Sequence, residues 1–106
     1  LPVVKNIRQN VSRLGKVKYV VVSYAFPQKQ EIGEGEVYFL FVGTIVSPEV
    51  VKIFDEEETR YPHEINYTVM TEEEFLFRKK NADPFIWGFL HKPKIMIIGS
   101  ESELMV

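Results

Sequence analysis

Two apolar stretches constrain this chain more than anything else in it: KVKYVVVSYAF, residues 16–26, and EVYFLFVG, residues 36–43. Both crowd β-branched and aromatic side chains, the composition of strands. Only PQKQEIGEG, residues 27–35, lies between them. That segment is polar, carries Pro27 and two glycines, and reads as a loop. It leaves no room for a crossover helix, so the two strands should pair antiparallel. Tyr19 to Val22 is apolar at every position, and the second stretch is apolar on both sides as well. Such strands must be covered on both faces, which places them centrally in a sheet.

The rest of the chain supplies the cover. Val3, Val4, Ile7, Val11 and Leu14 recur at helical spacing, predicting an amphipathic helix over 3–14 that stops at Gly15. In SPEVVKIFDEEE, residues 47–58, Ser47 is placed to cap a helix whose first residue is Pro48, with Val50, Val51 and Phe54 as its buried stripe. EINYTVM, residues 64–70, alternates Ile65, Tyr67 and Val69 on one face of a third strand. TEEEF, residues 71–75, is a capping box of Thr71 and Glu74. Its helix should run to about Lys80, with basic residues at the end that the macrodipole prefers. Asp83 and Pro84 open a short helix, KIMIIG is a fourth strand, and SESELMV a capped terminal turn or helix. The expected fold is a single α+β domain over 1–106, about four strands in a mixed sheet with helices packed on it.

Composition narrows the function. No run of about 18 apolar residues is present, so no membrane span is expected. The chain has no cysteine, which excludes disulfides, thiolate zinc sites and a cysteine nucleophile, and fits a cytoplasmic protein. A net charge of −2 gives no electrostatic footprint for DNA or RNA, so this segment is not expected to bind nucleic acid directly. Charged residues are mostly Lys and Glu while Asn and Gln are few, a balance that leans toward a heat-adapted source. The opening LPVVKNIRQN lacks the blocks of a signal peptide, and it lacks Met, as trimming of the N-terminus would leave it.

Chemistry concentrates in GEGEVYFLFVG, residues 33–43. Glu34 and Glu36 stand where a loop becomes a strand, the place where metal-dependent phosphoryl-transfer enzymes hold carboxylates. Two acids on the strand itself would need one at position 38, and the chain has Tyr38 there. Glu34 is two residues from Glu36 and could share its face, but it sits between Gly33 and Gly35 in a loop, whereas metal ligands need rigid support.

The layout, with YVVVSYAF, GEGEVYFLFVG, HEINYTVMTEEEF and the tail FRKKNADPFIWGFLHKPKIMIIGSESEL, resembles the minimal nucleotidyltransferase domain of the DNA polymerase β superfamily. The nearest likeness is to the type attached to archaeal and bacterial winged-helix regulators, and it covers residues 17–104. The resemblance implies a Gly-Ser pair, two acids one residue apart on the next strand, and a third acid on a later strand. Those positions fall here on Val22 and Ser23, on Glu36 and Tyr38, and on Asn66. Glycine lets bare backbone approach phosphates, and a valine at 22 is expected to obstruct that approach. A two-metal site needs carboxylates on one strand face. Tyrosine is neutral at pH 7 and a poor magnesium ligand, and Asn66 offers an oxygen without charge.

With one carboxylate of three remaining, the expectation is a catalytically inactive, nucleotidyltransferase-like regulatory or protein-interaction module, with nucleotide sensing as one such mode, and with no cofactor. The alternative is an active transferase moving a nucleotide to a protein or small acceptor. It would use Mg²⁺ and NTP, with Glu34, Glu36 and Asn66 at the metal and Ser23 at the nucleotide. A transcription-regulator role would need a DNA-binding segment outside this chain. FIWGFL holds more large apolar side chains than one helix face can bury, so Trp87 or Phe89 is expected to contact a protein partner or a second subunit. Tyr24 and Phe26 are placed either to cover the former nucleotide cleft or to pack in the core. The acidic runs at 55–58 and 72–74 read as solvated helix ends, and His63 beside Glu64 as surface residues.

Overall fold

A computed structural model describes all residues 1–106. In chain order the elements are α1 (Pro2–Gln9), β1 (Gly15–Ser23), β2 (Phe39–Ile45), α2 (Ser47–Glu57), β3 (Tyr67–Met70), α3 (Glu72–Lys80), α4 (Pro84–Leu90), β4 (Lys94–Ile98) and α5 (Glu101–Leu104). The four strands form one mixed sheet in the order β3-β2-β1-β4. β1 pairs antiparallel with β2 and with β4, whereas β2 and β3 run parallel. The short polar loop therefore does join antiparallel neighbours, and β1 and β2 occupy the centre. No helix is long and apolar enough to cross a membrane.

Alternation along the central strands divides the interior into two cores. Val20 and Val22 of β1, with Phe39 and Phe41 of β2, meet α1 and α2 on one face through Val3, Ile7, Val50 and Phe54. Tyr19, Val21, Leu40 and Val42 meet α3, α4 and α5 on the other, through Phe75, Ile86, Leu90 and Leu104. Burying side chains of this size contributes roughly 1.5–3 kcal/mol each, so neither face of the sheet could be left bare. Ile65, Tyr67 and Val69 all turn toward the first core, as their alternation predicts.

Several boundaries differ from the sequence expectation for local reasons. The helix predicted over 3–14 breaks after Gln9 and resumes as a 3-10 turn, Val11–Leu14. Asn10 causes the break: its side-chain amide donates to the Asn6 carbonyl at 2.9 Å and to Asn6 Oδ1 at 2.8 Å, competing with the helical ladder. β1 stops at Ser23, where the Ala25 N–H donates to Ser23 Oγ (3.1 Å) and the Phe26 N–H to the Ser23 carbonyl (3.1 Å), closing a turn.

β2 starts three residues later than its apolar run and continues through Gly43 to Ile45. Gly43 does not end the strand. It lies opposite Val17, beside the bulge in β1, at φ 145°, and a Cβ there would stand 2.2 Å from the Lys16 carbonyl oxygen. In α2 the buried stripe is Val50, Ile53, Phe54 and Glu57, and Val51 faces solvent. Ser47 makes no capping hydrogen bond, because the helix already begins at that residue. The other N-caps form: Thr71 accepts from the Glu74 N–H (3.0 Å), Asp83 from Ile86 (3.1 Å) and Ser100 from Glu103 (3.2 Å). The capping box at Thr71 is only half made, because the Glu74 carboxylate turns to Arg78 instead of back to the Thr71 N–H.

Candidate functional site

The loop between β1 and β2, the start of α4 and the turn into β4 enclose a cleft of about 350 Å³. Ser23 and Glu36 both line it, with Val37, Phe85, Phe89 and Lys92. Two residues expected at the site are thus brought to one cavity from opposite ends of the loop. The others are not. Glu34 is exposed on the loop and does not line the cleft, and Asn66 is also exposed and outside its lining.

Glu36 is committed within the chain. Its Oε1 accepts the Gly33 N–H at 2.7 Å, while the Glu36 N–H donates to the Gly33 carbonyl at 3.0 Å, closing the loop into a tight turn. Its Oε2 pairs with the Lys92 ammonium. The turn passes through Gly35 at φ 81° and leaves Glu34 at its apex. Glu34 and Glu36 therefore do not converge as a ligand pair, and no group of three His, Cys, Asp or Glu side chains is arranged to hold a metal ion.

Tyr38 points away from the cleft into the first core. Its hydroxyl donates to the Gln30 carbonyl at 2.7 Å, and its ring meets Phe26 and Tyr61 edge-on at 5.6 and 5.8 Å. Tyr61 stacks on Phe26 at 4.2 Å and donates its own hydroxyl to the Phe26 carbonyl. Burial raises the pKa of Tyr38; it pushes Tyr61 up to about 12, with the neighbouring Tyr38 phenol adding to the shift. Phe26 is thus a core residue, whereas Tyr24 is exposed beside Ser23, Lys92 and Pro93 on a shallower cavity.

Val22 does not obstruct the cleft. Its side chain is wholly buried in the first core, and Ser23, one residue on, is the one that reaches the cavity. Ser23 is itself held: its N–H donates to the Tyr38 carbonyl at 2.8 Å and its Oγ accepts from Ala25. Nor do Trp87 and Phe89 form an outward apolar surplus. Phe89 is only 7% exposed, between the second core and the cleft, and Trp87 is half-buried with its indole N–H donated to the Lys79 carbonyl at 3.0 Å.

Lys92 is the site residue that sequence reasoning missed. It lies far from Glu36 along the chain, in the turn that delivers β4 to its pairing of Lys94 with Ser23. The signal that could have found it is topological: once β4 is known to be a neighbour of β1, the residues just before it must reach the β1–β2 loop. Chemically the cleft offers one ammonium, two carboxylates (Glu31 and Glu36), a serine hydroxyl and an aromatic wall. Comparison with family models, curated proteins and solved structures finds no match for this chain.

Proposed function

We propose that this chain is a nucleotidyltransferase-like module that does not transfer nucleotides and acts through binding, as a regulatory or interaction domain. One observation carries the reading: the acid that remains, Glu36, spends one oxygen on the Gly33 N–H and the other on Lys92. Position 38 adds support, because its side chain is a phenol packed in the core rather than a carboxylate in the cleft. Two-metal phosphoryl transfer needs clustered anionic oxygens to hold its cations in line.

The test is a melt of the protein with Mg²⁺ and each NTP, together with an assay for label transfer to protein or small acceptors. Ligand at one hundred times its dissociation constant stabilises a fold by about 2.7 kcal/mol, a shift easily read. The expected result is no transfer and no magnesium-dependent shift. A shift with nucleotide alone would make the regulatory mode one of nucleotide sensing. A Mg²⁺-dependent shift abolished by Glu36→Ala would defeat the proposal.

The alternative, a working transferase, is favoured by a single observation, that Ser23 and Glu36 share the cleft. On that reading Lys92 competes with the metal for Glu36. Lys92→Met should then strengthen Mg²⁺-dependent binding, whereas on the non-catalytic reading it leaves the chain indifferent to Mg²⁺.

A further inference from the structure

α3 displays an outward face that nothing in the chain covers. Glu73, Leu76, Phe77 and Lys80 are all exposed, at the i, i+3, i+4, i+7 spacing of one helix stripe. Leu76 is 54% and Phe77 67% exposed, and no other large apolar side chain within a helix or strand is as open. Phe75, on the opposite side, anchors α3 in the second core.

The charges on α3 divide the same way. Glu72 reaches Lys18 at 3.9 Å, Glu74 reaches Arg78 at 3.8 Å, and Arg78 also meets Asp83 at 3.2 Å. Lys79 donates to the Leu104 and Val106 carbonyls, both at 2.8 Å. Glu73 and Lys80 take part in no ion pair or side-chain hydrogen bond of the chain, and they are the two charges that bracket Leu76 and Phe77.

We infer that this face pairs with the same face of a second copy of the chain, the two α3 helices lying antiparallel about a two-fold axis. The pattern is its own complement under that rotation. When Leu76 meets Phe77 of the second copy, Glu73 falls opposite Lys80 at one end, and Lys80 opposite Glu73 at the other. A parallel arrangement would instead set Glu73 against Glu73 and Lys80 against Lys80. Antiparallel pairing also opposes the two macrodipoles. Isologous contacts require such self-complementarity, which an unrelated partner would have no reason to impose.

α3 is only about 14 Å long, so the contact is smaller than a standard interface. The dimer should accordingly be a weak, transient one. The surface lies outside the cleft, and its pairing is independent of whether the cleft is catalytic.

Sedimentation over a range from about 10 µM to about 1 mM tests the inference, since it reaches the high concentrations at which a weak dimer is populated. The native chain should pass from monomer to dimer. Phe77→Asp should weaken association at least about tenfold, and so should Glu73→Lys, which sets like charges against each other. Combining Glu73→Lys with Lys80→Glu should recover the native dissociation constant to within about threefold, because the complement is restored in reverse. All three positions are exposed, so unchanged far-ultraviolet spectra and cooperative melts will establish that the variants remain folded, with the charge reversals lowering the melting temperature only slightly through the helix macrodipole. A native chain that stays monomeric at the highest concentration overturns the inference. So does a dimer indifferent to Phe77→Asp, or a double variant that fails to recover.

Discussion

Tyr38 carries its hydroxyl to the Gln30 carbonyl and its ring into the first core, so placing an acid there tests what the position does. Tyr38→Asp should cost more than about 3 kcal/mol in a urea titration, since it buries a carboxylate among aromatic rings and empties the space of the phenol. It should confer no magnesium binding, because the new side chain would face the core and not the cleft. Tyr61 gives a second, titrimetric test. The unfolded chain releases its phenolic proton near the ordinary tyrosine value of 10.0, the folded chain at about 12. Its contribution to stability is therefore fully present below pH 10 and is lost as pH rises toward 12. Tyr19 and Tyr38, also raised by burial, act with the same sign. Tyr61→Phe should flatten the alkaline decline in melting temperature without abolishing it. The tyrosine at position 38 was legible in the sequence; the direction in which it points was not, because that depends on where β2 begins.

At the scale of elements, what was readable were signals confined to a few neighbouring residues. Thr71, Asp83 and Ser100 each cap the next helix within three positions, and the short loop sets the antiparallel pairing of β1 and β2. What was not readable depends on side chains competing for backbone or on distant strands. Asn10 interrupts the first helix through its own amide, and Gly43 is required by the Lys16 carbonyl across the sheet. The two serine and threonine cap positions make a clean comparison. Thr71→Ala should cost about 1 kcal/mol, while Ser47→Ala, with no capping bond to lose, should be within about 0.5 kcal/mol of neutral. Parallel denaturant titrations of the two variants will separate them.

Across the whole molecule, both cores are built on the same two central strands, so neither can dissolve while the other persists. Trp87, the single tryptophan, packs against the second core, whereas far-ultraviolet circular dichroism reports the entire backbone. The two signals should therefore give superimposable urea transitions with one midpoint. The candidate cleft was only half legible at this scale: Ser23 and Glu36 announced themselves, but Lys92 enters through the β1–β4 pairing that no local pattern encodes. The loop bearing Glu36 is riveted from behind, by Tyr38 to Gln30 and by the Phe26–Tyr61 stack. A guest too bulky for the cavity cannot gain room by peeling that loop away, since doing so would pull rings out of the hydrophobic interior. The width of the cavity is thus set in part by Phe26, Tyr38 and Tyr61, none of which lines it.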